Sequence, residues 1–271
     1  MIKKSFAGAG LSIILVFSLI GNVFADGYGK KVDVNVMSYN MYHGVGLDGE
    51  LDLGRIAKEI QDANADIIGL QEVDRFYGDR SNFQDQAKEL AKLLGYHYIY
   101  GANLNLDPAV GQENNRQYGT AILSKYPIID SENIFLSSFG NEQRGILRTT
   151  INVKGVHLNF YNTHLGLSAA ERIAQVEEII DLKSSFEGPS VLVGDLNAEP
   201  DSEEFYTLLN AGNFTDTFAG IDNANTFPVV NPNKRIDYIL TSPDIKSANQ
   251  KVINSEASDH LPLVTEITIQ R

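Results

Sequence analysis

The run Val191-Leu192-Val193-Gly194-Asp195-Leu196-Asn197 constrains this chain more than any other segment. Three aliphatic residues read as a buried strand, and the carboxylate and amide behind them are delivered to the edge of a sheet. Asp195 and Asn197 are two apart, so an extended backbone sends both side chains off one face. A carboxylate orients a water or takes a proton, and an amide donates to an oxygen that is gaining negative charge. Alone, Gly194-Asp195-Leu196-Asn197 is equally well a strand-to-turn junction capped by Asp and Asn. The recurrence of such strand ends elsewhere decides between the two readings.

The first residues do not belong to the fold. Lys3 and Lys4 form a positive start, Leu11 to Ile20 an apolar core too short to span a bilayer comfortably, and Val23-Phe24-Ala25 a small-residue cleavage site. Residues 1–25 are therefore expected to be a secretory signal peptide, and residues 31–271 a single domain of a secreted, extracytoplasmic protein. The alternative, an uncleaved anchor, is opposed by Gly21, Asn22 and Asp26, which interrupt any longer apolar run. The chain has no cysteine, which rules out disulfides, lipid attachment and thiolate metal sites. Stability has to come from an ordinary core, and the remaining length is enough to build one.

Beyond the leader, apolar patterning marks the elements. Val32-Asp33-Val34-Asn35-Val36-Met37 alternates as a strand does, and Ile67-Ile68-Gly69-Leu70 reads as a buried one. The spacing of Ile56, Ile60 and Ala63 predicts a helix over 53–65 with Asp52 as its cap. Ser81-Asn82-Phe83-Gln84 and Ser168-Ala169-Ala170-Glu171 fit capping boxes, predicting helices that run to about Leu94 and Lys183. Further strands are predicted over 96–100, 120–124, 145–153, 156–162, 237–241, 245–252 and 261–269, with a tight hairpin turn at Lys154-Gly155. Many strands interrupted by few helices imply two sheets packed face to face with helices outside.

Polar residues recur where these strands end. Ser38-Tyr39-Asn40 closes the first, Gln71-Glu72-Val73-Asp74 the second, and Asn162-Thr163-His164-Leu165 the strand before the third helix. Arg235-Ile236-Asp237 opens another, and Ser258-Asp259-His260-Leu261-Pro262 precedes the last. Each piece alone is a common turn, and a lone His164 is an ordinary structural histidine. Glu72, Asp195, Asp237 and Asp259 brought together would repel by about 1–4 kcal/mol per close pair, so such a cluster needs cations. Oxygen donors without cysteine favour a hard ion, Mg²⁺, Mn²⁺ or Ca²⁺, over Zn²⁺. The formal charge of −13 weakens the case for a dedicated duplex-DNA binder. It leaves room for a phosphorylated substrate held through metal.

In this order and with these neighbours the pieces resemble the endonuclease/exonuclease/phosphatase superfamily, from about Val36 to Leu263. The specific matches are G-D-L-N at 194–197, S-D-H-x-P at 258–262 and Q-E-V at 71–73. Y-G-T-A-I-L-S at 118–124, N-T-H-L at 162–165 and R-I-D-Y-I-L at 235–240 support them. The resemblance implies a deoxyribonuclease-I-like α/β (α+β) fold, a four-layer sandwich of two mainly antiparallel sheets flanked by helices. It implies that Asn40, Glu72 and Asp259 hold a divalent metal, with Glu72 the principal ligand. Asp195 would orient the attacking water and Asn197 support the phosphoryl oxygens. His260 would pair with Asp237, and His164 would contact the scissile phosphate. Arg144 would face the phosphate, with Arg148 as the competing candidate. An imidazole beside Asp237 is favoured as imidazolium, so its pKa is expected to rise above ~6.5.

Two departures stand out. Thr120 follows Tyr118-Gly119 where many family members carry Asn, and Asp237 is followed by Tyr238 rather than the Arg of inositol-polyphosphate phosphatases. The expectation is a monomeric, metal-dependent phosphodiesterase acting on nucleic acid, a phospholipid headgroup or a small diester, with no protein partner implied. A sphingomyelinase-like phospholipase would want an exposed apolar loop, and Tyr28 and the Phe135–Phe139 segment read as ordinary loop and core residues. A catalytically silent binding module on the same fold is the rival, opposed by the completeness of the motif residues.

Overall fold

A computed structural model describes Met1, Gly29 and residues 31–271. The expected signal peptide and Tyr28 lie outside the described residues. Alternation along the first strand sets up the layers. In β1 (Lys31–Asn40), Val32, Val34 and Val36 point into a core shared by two sheets, whereas Met37 and Tyr39 pack on the opposite face. The first sheet runs β11 (Lys246–Val252), β12 (Leu263–Gln270), β1, β2 (Ile67–Arg75), β4 (Arg116–Ser124), β3 (His97–Leu106). The second runs β5 (Ile128–Leu136), β6 (Arg144–Val153), β7 (Val156–His164), β8 (Ser190–Asp195), β10 (Asp237–Thr241), β9 (Thr215–Asp216).

Ile67, Ile122, Phe160, Val191, Val193 and Ile267 fill the space between the sheets. Helices α1 (Leu53–Asp62) and α2 (Gln86–Leu94) cover the outer face of the first sheet, with Ile56, Ile60 and Leu90 buried against it. Helices α3 (Ala169–Ser184) and α4 (Glu203–Asn210) cover the second through Val176, Ile179 and Phe205. The result is the four-layer sandwich implied by the sequence. The sheets come so close at Gly69 that a Cβ there would lie 2.2 Å from Val193 Cγ2.

Each sheet contains one parallel pair, β1 with β2 and β7 with β8, and the crossovers are α1 and α3. Every other pairing is antiparallel. Both parallel pairs place their carboxyl ends at one edge of the sandwich, the position where open sheets collect ligands. There β2 breaks register with β4 between Leu70 and Val73, and Glu72 takes a left-handed φ of 57°. This bulge re-aims Glu72 at the edge.

Several elements differ from the sequence reading. Ser81 does not cap α2. It ends a short 3₁₀ turn, left-handed Asn82 and Phe83 follow, and Asp85 caps the helix by accepting the Lys88 amide at 3.2 Å. Asp52 and Ser168 cap as expected, and Ser168 and Glu171 form the reciprocal box. Helix α1 stops at Asp62 because Asn64 turns left-handed. The edge strand β5 and helix α4 lie outside the segments the pattern marked. Phe135 and Phe139 are 63% and 67% exposed, not packed, because the β5 edge and the loop behind it have no covering layer.

Candidate active site

Strands β7, β8 and β10 lie side by side, and their register sets His164 opposite Asp195 and Asp195 opposite Asp237. Opposite residues in a ladder share a face, so these three buried side chains stand in a row at the strand ends. From the other sheet, Asn40 closes β1 and Glu72 leaves the β2 bulge. The β11–β12 connection supplies Asp259 and His260 and is tied down where Ser258 Oγ donates to the Asn40 carbonyl at 2.7 Å. Residues from six separate stretches of sequence thus converge at one edge.

Asp195 Oδ2 is the hub. Asn40 Nδ2 donates to it at 3.1 Å, and His164 Nε2 and His260 Nε2 face it from 3.6 and 3.7 Å. Its other oxygen accepts the Asn197 amide N–H at 2.9 Å. Burial and then the Asp237 charge push the Asp195 carboxyl up to about 7. Burial opposes charge on His260 too, yet Asp237, with Asp195 and Asp259 behind it, raises the imidazole to about 10. Its Nδ1 lies 2.8 Å from Asp237 Oδ2. His164 moves the other way: burial, then the positive charges of Arg144 and His260, hold it well below its usual range. The site therefore pairs a cationic histidine with a neutral one.

The strand ends at Asp195, and Asn197 is left-handed with φ 49°. The two side chains do not leave one extended face. Asn197 acts from a turn, where its backbone orients Asp195 and its side-chain nitrogen donates to the Leu165 carbonyl at 3.0 Å. Asn40 meets the carboxylates through its nitrogen. Its nitrogen donates to Glu72 Oε1 at 3.1 Å and its oxygen accepts the Tyr42 amide at 3.2 Å, so here it orients both carboxylates.

Arg144 is buried, pairs with Glu142 at 3.1 Å and lines a recess of about 440 Å³ with Gly166 and Ser168. Its charge reaches Glu72 and His164. Arg148 is not at the site: it binds Asp130 and packs 4.0 Å from the Phe186 ring centroid. Thr120 is fully buried and offers no side-chain amide.

Sequence reasoning missed three contributors. Thr226 Oγ1 donates to Asp237 Oδ2 at 2.5 Å, and Phe227 packs 4.6 Å from the His260 ring. They sit in an aperiodic stretch that carries no local signal. Burial, then the charge of Glu72, raises Tyr118, which also feels Arg144. The Y-G-T motif pointed to that neighbourhood without singling the side chain out.

The donor set fits a hard divalent ion. Burial raises both Glu72 and Asp259, and each adds to a cluster of carboxylates. Asp237 Oδ1 is buried without a partner. Asp195, Asp237 and His260 offer atoms within 4.8 Å of one another. The 2.8 Å bond from His260 to Asp237 leaves no space between those two for an ion, so Glu72 and Asp259 are the better-placed ligands.

The sequence profile described as the Endonuclease/Exonuclease/phosphatase family matches residues 37–260, from β1 to His260. The chain belongs to this family. A relative, the uncharacterized protein YbhP of Escherichia coli (strain K12), is 30% identical over 88% of this chain and 97% of its own length. An endonuclease/exonuclease/phosphatase of Beutenbergia cavernae DSM 12333 superposes with a TM-score of 0.76 at 25% identity, over 88% of this chain and 72% of that one. The mannosyl-6-phosphatase Bt3783 of Bacteroides thetaiotaomicron VPI-5482 shares the fold, with a TM-score of 0.69 at 23% identity over 86% and 99% of the two chains. The family places the chain among phosphoesterase folds, and the row at the strand ends has the chemistry such a fold needs.

Proposed function

We propose that this family member is a secreted, divalent-metal-dependent phosphodiesterase that hydrolyses a P–O ester bond by direct attack of water. The observation that carries the proposal is the shared focus of Asn40, His164 and His260 on Asp195 Oδ2. A carboxylate raised to about 7 takes a proton near neutral pH. Water forms the new bond to phosphorus, Asp195 accepts its proton, and the ester oxygen leaves from the opposite side with the bonding pair. The His260 imidazolium and Arg144 donate to the phosphoryl oxygens as their charge grows. Neutral His164 adds a hydrogen bond without a further charge, and the second Asn197 amide hydrogen supports the same oxygens. An ion held by Glu72 and Asp259 would polarise a phosphoryl oxygen and offset its developing charge.

Charge count favours a diester. Glu72, Asp195, Asp237, Asp259 and the Glu142 that pairs with Arg144 outnumber by one the charges of Arg144, the His260 imidazolium and one divalent ion, which suits a monoanion better than a dianion. A specific observation also favours a lipid-headgroup diester. Phe139 and Leu167, on the loops beside Arg144 and His164, are 67% and 76% exposed. A panel of plasmid DNA, RNA, sphingomyelin, bis-p-nitrophenyl phosphate and phosphate monoesters, each with Mg²⁺, Mn²⁺ or Ca²⁺, tests the reading. Diester cleavage abolished by EDTA and restored by metal is expected, and Glu72→Gln weakens metal binding in calorimetry. Full activity after exhaustive chelation, or cleavage of monoesters alone, would overturn it.

A further inference from the structure

Beside the reaction centre lies a recess of about 500 Å³ whose walls include Tyr42, His43, Glu50, Asp79, Arg80 and Asn82. Two links join it to the site. The Tyr42 amide donates to Asn40 Oδ1 at 3.2 Å, so the recess begins where β1 delivers Asn40. Arg80 is clamped by Asp74, two residues beyond Glu72, through Nε at 2.9 Å and Nη2 at 2.7 Å. Its guanidinium carbon lies 4.2 Å from the Tyr77 ring centroid and 5.5 Å from that of Tyr118, the tyrosine that faces Glu72.

The walls are held in costly conformations. Tyr42 and His43 have φ of 43° and Asn82 of 49°. Left-handed non-glycine residues of this kind persist where the surroundings over-determine them, and they cluster at ligand clamps. Asn82 is left-handed because it closes the 3₁₀ turn 79–81, whereas Tyr42 and His43 depart from helical geometry within the short turn 42–44 that follows β1. The clamp on Arg80 also reaches beyond local stability. Asp74 is fully buried and takes two of the guanidinium donors, leaving Nη1 without a partner among the described residues.

The chemistry of the walls selects the occupant. Tyr42 is 39% exposed and presents a ring backed by His43, 4.4 Å between centroids. Around it stand fixed donors on Arg80, acceptors on exposed Asp79 and Glu50, and the two-way amide of Asn82. The carboxylates of Asp79 and Glu50 oppose a second phosphate. A neutral ring with alternating hydroxyls and an apolar C–H face satisfies both the aromatic surface and the mixed polar groups.

We propose that this recess binds a sugar ring carried on the ester of the substrate, making the protein a phosphodiesterase of sugar phosphates. This rests on the phosphodiesterase reading above and adds its substrate class. Arg80 and Asp79 bind adjacent hydroxyls, Tyr42 covers the apolar face, and Tyr118 separates the sugar from the metal carboxylate.

The test compares two esters that release the same p-nitrophenolate, the p-nitrophenyl diester of glucose 6-phosphate and phenyl p-nitrophenyl phosphate. In both, water adds to phosphorus and the same P–O bond breaks, so the ratio of their kcat/KM values, divided by the same ratio for uncatalysed hydrolysis, reports sugar binding. Wild-type protein is expected to prefer the glucosyl ester by roughly tenfold or more, the scale of one or two good polar contacts. Tyr42→Ala and Asp79→Ala change exposed side chains, and each is expected to lower that ratio by roughly fivefold, through KM on the glucosyl ester. Arg80 is left in place because its loss would strand the buried Asp74 charge. A wild-type ratio near one, or a ratio unmoved in both variants, overturns the proposal. So does a preference that appears only with thymidine 5′-(p-nitrophenyl phosphate), which would assign the recess to a base. If no ester is cleaved, the phosphodiesterase reading fails on its own. Titration with glucose 6-phosphate, followed at the amide signals of Tyr42 and Asn82, then judges the recess separately, and unmoved signals overturn it.

Discussion

Asp237 Oδ2 lies 2.8 Å from His260 Nδ1, the first opening β10 of one sheet and the second lying in the β11–β12 connection of the other. Thr226 donates to the same oxygen at 2.5 Å, and Phe227 packs on the imidazole. One carboxylate oxygen therefore fixes the ring plane, its tautomer and its charge together. The imidazole's free Nε2 is left facing Asp195 at 3.7 Å, where the phosphate would have to sit.

That unity predicts non-additive losses. His260→Ala and Asp237→Asn are each expected to lower kcat by roughly 10³-fold or more, and the double variant by little beyond the worse single one. His97 is exposed at the opposite end of its strand, paired with Ser124, and His97→Ala serves as the control. Steady-state kinetics on bis-p-nitrophenyl phosphate measure all four proteins. A double variant that loses the product of the two single losses would show that the residues act independently.

The two histidines are expected to titrate in opposite directions. With metal chelated, the His260 ring stays protonated through pH 8, whereas the His164 ring is neutral at pH 6, because one faces carboxylates and the other cations. Imidazole nitrogen shifts measured by NMR distinguish them. The stability consequence follows from linkage. The folded pKa of His260, about 10, lies above its ordinary value of 6.5, so the stabilisation is full below pH 6.5 and is lost as pH rises through about 10. The gap in urea midpoint between wild type and His260→Gln should close over that window. A gap that widens would give the shift the wrong sign.

The parts of this site that were legible in the sequence lie on a strand whose apolar residues fix its register, or, for Asp259 and His260, in the short connection just before one. Asp237 opens β10 where the pattern put it, and Asp195 ends β8. The parts that were not legible depend on backbone departures or on contacts without period. The left-handed bulge that turns Glu72 inward leaves the motif unchanged while moving its side chain. The left-handed turn at Asn197 breaks the period-two argument one residue past the strand. Strand β5 escaped because Asp130, Ser131, Glu132 and Asn133 carry no alternation at an edge that buries little. Thr226 reaches Asp237 across ten intervening residues.

The cap of α2 offers a direct check on one such departure. Ser81 matches the capping signature, but Asp85 performs the capping. Asp85→Ala is expected to cost about 1 kcal/mol from the cap, with a further contribution from its 3.1 Å pair with Arg75. Asp85→Asn retains the cap and isolates the ion pair. Ser81→Ala gives up only a 3.4 Å contact to the Gly78 carbonyl and is expected to cost under about 0.5 kcal/mol. Urea unfolding of the three variants ranks them, and a larger loss at Ser81 than at Asp85 would restore the signature's own reading.

The two arginines that compete for the phosphate separate by what their loss disturbs. Arg144 is buried between the loops that carry Glu142 and Ser168, and its charge falls on Glu72 and His164. Removing it leaves the strand pairing intact but takes a positive charge from the place where phosphoryl oxygens gain negative charge. Arg144→Ala is therefore expected to lower kcat/KM by roughly 10²-fold while the urea midpoint changes little. Arg148 does the reverse. Its side chain lies along β6, joins Asp130 on the edge strand and covers the Phe186 ring, so it holds β5 and the end of α3 against the sheet. Arg148→Ala is expected to keep near-normal kinetics and lose roughly 1–3 kcal/mol of stability, from packing as much as from charge. If Arg148→Ala were instead the variant that lost activity at unchanged stability, the phosphate would have to lie on the far side of the second sheet. The convergence on Asp195 would then be structural.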